Sequence, residues 1–327
     1  MRIFWHEGQR AHRPGHEFFN GALYPAADKP ERVDAILQAV GPVEAPAERS
    51  QAELLAALRQ VHDPAYLAFL ATAHDEWRAA GREGDAIPYA FPVRRRTLEL
   101  ERIDARLGQY SYDTCTPVAE GTWGALLAGT ATVLSALDAV LGGDKALALT
   151  RPPGHHAGPD YMGGYSYLNW AALAAVASGR RTAVLDLDYH HGNGTQDIVQ
   201  GRKALSFASI HADPRTDYPY FWGHAEESGG NVGNWPLPRG TDFQGYDRAL
   251  AEACAWVGEQ APELLLVSFG ADTWEGDPIS HFKLRTDDYR KLACRVAGLG
   301  VPTLVVMEGG YAVEALGANV SGFLSGL

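Results

Sequence analysis

The sequence predicts an α/β fold, one domain built on a mostly parallel central sheet with helices on both of its faces. Two observations lead there. Short apolar runs alternate with stretches at helical spacing through most of the chain. Residues able to do chemistry also gather directly after those runs, where a parallel sheet collects its strand ends. At 327 residues, 46% of them hydrophobic and 21% charged, the chain is long enough to bury one large core.

Taken in order, "RIFW" at the start reads as a buried strand. "KPERVDAILQAV" sets Val33, Ile36, Leu37 and Val40 on one stripe with Pro30 near its start, and Ser50-x-x-Glu53 is a capping box that opens a second helix. Helical spacing returns near 64–80 and 122–141. The strand "ALALT" (146–150), a helix near 167–178 and the strands "TAVLDLD" (182–188) and "ALSFASI" (204–210) follow. A helix near 246–260, the strand "LLLVSFG" (264–270), a helix near 286–298, the strand "PTLVVM" (302–307) and a helix near 313–325 complete the alternation. Only 82–118 breaks it, mixing charges, prolines and aromatics; long excursions of this kind serve as functional loops or contact surfaces. No repeat or linker divides the chain, so residues 1–327 are expected to form a single domain.

Composition narrows the function classes. No apolar run approaches the roughly 18 residues needed to span a bilayer. "MRIFWHEGQR" lacks the basic then apolar pattern of a secretory leader, which places the protein in the cytoplasm. Cys115, Cys254 and Cys294 are odd in number, far apart and outside any C-x-x-C pattern, so neither a disulfide framework nor a cysteine metal site is expected. A net charge of −12 disfavours nucleic acid and membrane partners and favours a cationic ligand.

Chemistry collects at the predicted strand ends. "ALALT" leads to His155 and His156 in "RPPGHHAGPDYMGG". "LDLDYHHGNG" carries Asp186, Asp188 and His190, and "ALSFASI" ends at His211. Asp272 follows "LLLVSFG", and Glu308-Gly-Gly-Tyr311 follows "PTLVVM". Side chains two apart on a strand share a face, so Asp186, Asp188 and His190 are expected to point one way. With Asp272, Asp188 and His190 make a three-ligand set with an open position, as in hydrolytic metal sites; the alternative is a buried Asp/His hydrogen-bond network. Two oxygens and one nitrogen suit zinc, and divalent iron or cobalt would also fit. Asp186, one step deeper, suits orienting a histidine or holding a structural cation. The histidine pair titrates near neutral pH, and prolines with Gly154 restrict its loop. Tyr311, after two permissive glycines, offers a phenol to an oxyanion. Metal, base and oxyanion donor together read as amide hydrolysis.

These residues resemble the histone deacetylase superfamily, and most closely its bacterial acetylpolyamine amidohydrolases. The resemblance spans nearly the whole chain and rests on "RPPGHHAGPDYMGGYSYLN", "VLDLDYHHGNGTQDI", "SFGADTWEGDPIS" and "VVMEGGY", with support from "FPVRRR", "EGTW" and "YPYFWGHAEE". It implies an arginase/deacetylase-like fold with about eight strands and a loop insertion at about 82–118 that narrows the active-site mouth and makes a homodimer contact. It implies that Asp188, His190 and Asp272 bind zinc and that Tyr311 polarises the acetyl carbonyl. It further implies His156 as general base and His155 as its electrostatic or acid partner, backed by Asn193 and Asp186. Tyr165 and Phe221 correspond to aromatics lining a substrate tunnel, and Gly164 to the carbonyl that receives the scissile N–H. Asp186, Asp188, His190 and Ser209 correspond to a potassium site. Glu17 aligns with an acidic residue near the mouth, with Asp104 and Asp113 as further candidates for a distal ammonium. Ser166, Trp170, Asn193 and His224 depart from the common pattern.

The expected activity is removal of acetyl from small cationic amines such as acetylputrescine, acetylcadaverine or acetylspermidine. Acetyl-lysine in peptides or proteins is the alternative substrate, and a catalytically silent ligand-binding module the reading from another class.

Overall fold

A computed structural model describes residues 1–93 and 98–327. Arg94, Arg95 and Arg96 of the "FPVRRR" similarity lie outside the described residues. The strands are β1 (Arg2–Phe4), β2 (His16–Phe19), β3 (Ala22–Pro25), β4 (Ala146–Ala148), β5 (Thr182–Asp186), β6 (Leu205–Ala212), β7 (Val232–Leu237), β8 (Leu264–Phe269) and β9 (Thr303–Met307). The helices are α1 (Glu31–Val40), α2 (Gln51–Leu58), α3 (Pro64–Ala79), α4 (Ile103–Gln109), α5 (Thr122–Leu141), α6 (Trp170–Ala177), α7 (Asn193–Val199), α8 (Phe243–Glu259), α9 (Thr286–Ala297) and α10 (Val313–Leu324).

Seven strands form one sheet in the order β1-β4-β9-β8-β5-β6-β7, every neighbouring pair parallel. Among the described residues the sheet therefore has seven strands rather than about eight, and all six strands expected from the apolar runs are in it. The seventh, β7, contains Gly233 and Pro236 and sits at the edge, where a missing N–H is tolerated. β2 and β3 form a separate antiparallel hairpin. Because every strand of the sheet runs the same way, both faces must be covered, and two apolar clusters lie one on each side. Leu58, Phe69, Leu137 and Trp170 belong to one; Ile36, Leu250, Tyr289 and Phe323 belong to the other.

Helix α5 corrects one expectation. It is long and apolar enough by length and composition to cross a membrane, yet 78% of that stretch is buried inside the molecule, packed against β1, β4, β9 and α6. Helix ends follow their sequence signals: Ser50 and Glu53 close the capping box at α2, Asp63 caps α3, and Asn169 caps α6 through Ala172 N–H.

Candidate active site

The loops that follow β4, β5, β8 and β9 converge at one edge of the sheet around a cavity of about 290 Å³. β5 ends at Asp186, so Asp188 and His190 do not share a strand face as the alternation suggested. They are aimed by turns instead: Asp188 N–H donates to Asp186 Oδ1 at 3.1 Å and His190 N–H to Asp188 Oδ1 at 2.9 Å, carboxylates satisfying a buried backbone that has left the sheet. From β8, Asp272 Oδ1 accepts Tyr189 N–H at 3.0 Å. The result brings candidate ligand atoms of Asp188, His190 and Asp272 within 4.8 Å of one another. Glycines make the room: a Cβ on Gly309 would fall 2.5 Å from Asp188 Oδ2 and 2.6 Å from Asp272 Oδ2.

The donor set fits a divalent cation. Two buried carboxylates face one imidazole, and burial together with the Asp188 charge pushes Asp272 up to about 7. Burial opposes charging His190, but Asp188 and Asp272 outweigh it and raise the imidazole to about 10. A metal ion would relieve that surplus of negative charge, and the set is of the oxygen and nitrogen type that zinc accepts.

The two histidines behind this set are oppositely poised. His155 Nδ1 lies 3.0 Å from Asp186 Oδ2; burial pulls its pKa down, but Asp188 and Asp186 raise it to about 10. His156 Nδ1 lies 2.7 Å from Asn193 Oδ1, a neutral partner. Burial, then the charges of His155 and His190, hold it well below the ordinary histidine range. Their ring centroids are 4.0 Å apart, so they titrate as a coupled pair. Because Asn193 Oδ1 can only accept, His156 carries its proton on Nδ1 and turns a free lone pair at Nε2 outward.

Tyr311 lines the cavity, its N–H held by Asp277 Oδ2 at 2.7 Å and its ring beneath the Arg32 guanidinium at 4.6 Å. Burial raises its phenol well above the ordinary range against the pull of Arg32, so it is a protonated donor at neutral pH. Gly310 takes a left-handed φ of 121°, as expected of a glycine before Tyr311, whereas Gly309 is needed for close approach.

Glu17, Gly164 and Tyr165 also line the cavity, and Tyr165 O–H donates to Glu17 Oε1 at 3.2 Å. Phe221 does not: it is 80% exposed. Tyr218 occupies the wall instead, its ring edge-on to His156 at 5.1 Å, because its hydroxyl is anchored on Asp113 Oδ2 at 2.8 Å. Asp104 is outside the cavity, paired with Arg82 and Arg102. Asp113 lines it. Ser209 lies opposite Asp186 in the register of β5 and β6, and its hydroxyl meets His211 Nδ1 at 2.9 Å; His211 does not line the cavity. Of the departures, Trp170 is fully buried and donates to Pro152 O at 2.9 Å, Ser166 Oγ accepts His156 N–H at 3.4 Å, and His224 bonds Tyr220 O.

The sequence places Glu308 after the last strand without indicating what it does. Its buried carboxylate accepts Gly154 N–H at 2.6 Å, His155 N–H at 3.1 Å and Ser268 O–H at 3.2 Å, tying the histidine loop to β8 and β9. Arg32 and Asp28 are likewise buried behind Tyr311, Arg32 donating to Gly310 O and Glu308 O at 2.6 Å each. An arginine on the apolar stripe of α1 was their one sequence signal.

The model of the histone deacetylase domain matches residues 26–327. The chain is 43% identical to acetylpolyamine amidohydrolase 2 of Pseudomonas aeruginosa, covering 100% of this chain and 98% of that protein. It is 41% identical to the acetylpolyamine amidohydrolase of Mycoplana ramosa, covering 100% and 99%. The crystal structure of an acetylpolyamine aminohydrolase from Burkholderia pseudomallei superposes with a TM-score of 0.94 at 35% identity, over 100% of this chain and 98% of that one.

Proposed function

The chain belongs to the histone deacetylase family, and from that premise we propose that it is a metal-dependent amidohydrolase that removes acetyl from small acetylated amines of the acetylpolyamine class. One observation carries the reading: a single cavity joins Tyr311, the two histidines and His190, beside which Asp188 and Asp272 are clustered, to a buried acid, Glu17, that suits a distal ammonium. Asp188, His190 and Asp272 would hold the ion, for which zinc is the assignment and iron or cobalt the substitutes. When bound, such an ion polarises a carbonyl and lowers the pKa of water to about 7.

The chain's own groups supply the rest. His156 Nε2 takes the proton of the attacking water, its lone pair free because Nδ1 is paired with Asn193 Oδ1 and its resting charge disfavoured by burial. Tyr311 O–H donates to the acetyl oxygen as negative charge develops there. His155, held by Asp186, keeps the charge balance, and the histidine pair returns a proton to the leaving amine. The Gly164 carbonyl accepts the scissile N–H, Tyr165 and Tyr218 flank the acyl-bearing chain, and Glu17 receives the distal ammonium. A potassium ion beside Asp186, Asp188, His190 and Ser209 would offset buried acid charge; a higher Tm in potassium than in sodium chloride is the check. We assign the protein to the cytoplasm, where its three free cysteines would stay reduced.

The test compares kcat/KM of zinc-loaded protein on acetylputrescine, acetylcadaverine, acetylspermidine and an acetyl-lysine peptide. Preference for the small amines, lost by at least about 100-fold in kcat in Tyr311→Phe, is expected. Equal or better turnover of the peptide would move the enzyme to the lysine deacetylases, and no Tyr311-dependent turnover would end the enzymatic reading.

A further inference from the structure

Of the acids near the mouth, Asp113 differs from Glu17 in how its oxygens are used. A carboxylate has about four lone-pair positions. Asp113 Oδ2 accepts Gly164 N–H at 2.7 Å and Tyr218 O–H at 2.8 Å, Oδ1 accepts Cys115 N–H at 3.1 Å, and the Thr116 hydroxyl is a fourth donor. The group is filled by the protein. Among the described residues Glu17 accepts Ala27 N–H at 3.3 Å and Tyr165 O–H at 3.2 Å, and keeps capacity for a cation.

The donors on Asp113 are the walls of the reaction chamber. Gly164 has φ 52°, and a Cβ there would lie 2.1 Å from His156 Cδ2, so the position admits only glycine, the residue with the softest backbone. Both peptides flanking it are pinned. Its own N–H is on Asp113, and the N–H of Tyr165 is on Thr116 Oγ1 at 3.0 Å, the hydroxyl that Asp113 holds. A trans peptide points N–H and C=O in opposite directions, so anchoring Tyr165 N–H on Thr116 fixes where the Gly164 carbonyl points. On the other wall Asp113 holds Tyr218, whose ring stacks on Tyr112 at 5.9 Å; Tyr112 O–H in turn reaches Asn193 Oδ1 at 3.2 Å, the oxygen that meets His156.

Resting on the amidohydrolase reading, we infer that Asp113 is a positioning residue: it sets the Gly164 carbonyl and Tyr218 against the scissile amide and does not receive the ammonium. Misplacing such groups by about 1 Å costs up to about 100-fold in rate. The same segment, arriving from the irregular 82–118 stretch, thereby acts on the chemistry as well as on the entrance.

The experiment uses zinc-loaded protein with acetylcadaverine and N-pentylacetamide, which share the amide and the five-carbon chain but differ in the terminal ammonium. In Asp113→Asn, kcat is expected to fall about 30-fold on both, with KM for acetylcadaverine within about twofold and the ratio of the two kcat/KM values unchanged. A rise in KM confined to acetylcadaverine would make Asp113 an ammonium receptor, and an unchanged kcat would remove its role; either overturns the inference. Should Asp113→Asn fail to fold, Tyr218→Phe removes one of the four donors alone and is expected to lower kcat about threefold on both substrates; no loss, or a loss on one substrate only, counts against the inference. If wild-type protein turns over neither compound, the amidohydrolase reading itself fails.

Discussion

Glu17 shows what a single residue contributes here. Burial, only partly offset by the bonds from Ala27 and Tyr165, raises its carboxyl to about 6. A raised acid loses stability as pH climbs from its unfolded value through its folded one, so ionised Glu17 weighs on the ligand-free protein by of the order of 1 kcal/mol once cavity water is allowed for. On the proposed reading the ammonium of the substrate would recover that cost and tie recognition to pH. The ratio of kcat/KM for acetylcadaverine to that for N-pentylacetamide should rise as pH passes upward through about 6. In Glu17→Gln the ratio should be flat with pH, and the ligand-free variant should melt higher than wild type above pH 6. A ratio that stays pH-dependent in the variant would take the ammonium away from Glu17.

Between elements, the catalytic loop after β4 is held by Glu308 from the end of β9. Removing the acceptor leaves two buried N–H groups unpaired, each costing about 1–3 kcal/mol. Glu308→Ala should therefore lose about 2–6 kcal/mol in urea unfolding, while Glu308→Gln, which keeps an accepting oxygen for the loop and a donor for Ser268, should lose under about 1 kcal/mol. Similar losses in both variants would mean that charge rather than hydrogen bonding is what the site needs. Gly309 tests the other junction. Its alanine variant pushes a methyl into the space shared by Asp188 and Asp272, and its metal content after dialysis against a weak chelator should drop at least about tenfold relative to wild type.

At the scale of the molecule, the metal-free site couples stability to pH. Asp272, raised to about 7, contributes stability that is lost as pH climbs toward and past that value, and His190, raised to about 10, contributes stability lost as pH rises through 10. Both slopes have the same sign, so the Tm of chelated protein should fall between pH 6 and 9, and the Tm gap between zinc-loaded and chelated protein should widen over that range. A gap independent of pH would place the metal elsewhere. Exposed Phe18, Phe19, Leu23 and Tyr24 on the β2–β3 hairpin adjoin the 82–118 stretch, which exposes Tyr89, Phe91 and Leu98, through bonds between Phe18 and Thr114. Apolar surface of this kind suits the homodimer that the resemblance implies. Sedimentation should give a dimer, converted to monomer by Phe19→Asp with Tyr24→Asp.

The six apolar strands, the main helices and the polar groups gathered after the strands, Asp188, His190, Asp272, the histidine pair and Tyr311, were legible in the sequence. Parallel strands buried on both faces write themselves as continuous apolar runs, and the loop after each run carries its chemistry in a few contiguous letters. The strand β7, broken by glycine and proline, and the exposed β2–β3 hairpin carry no such continuous buried run. The partnerships left no local trace either. Glu308 with the histidine loop, Arg32 with the Gly310-Tyr311 turn, and Asp113 with Gly164 and Tyr218 all join residues that lie between about 50 and 280 positions apart. Local pattern names the groups, but which buried donor meets which acceptor is settled only when packing has closed the space around them, because each must find a partner within about 3 Å or go unsatisfied.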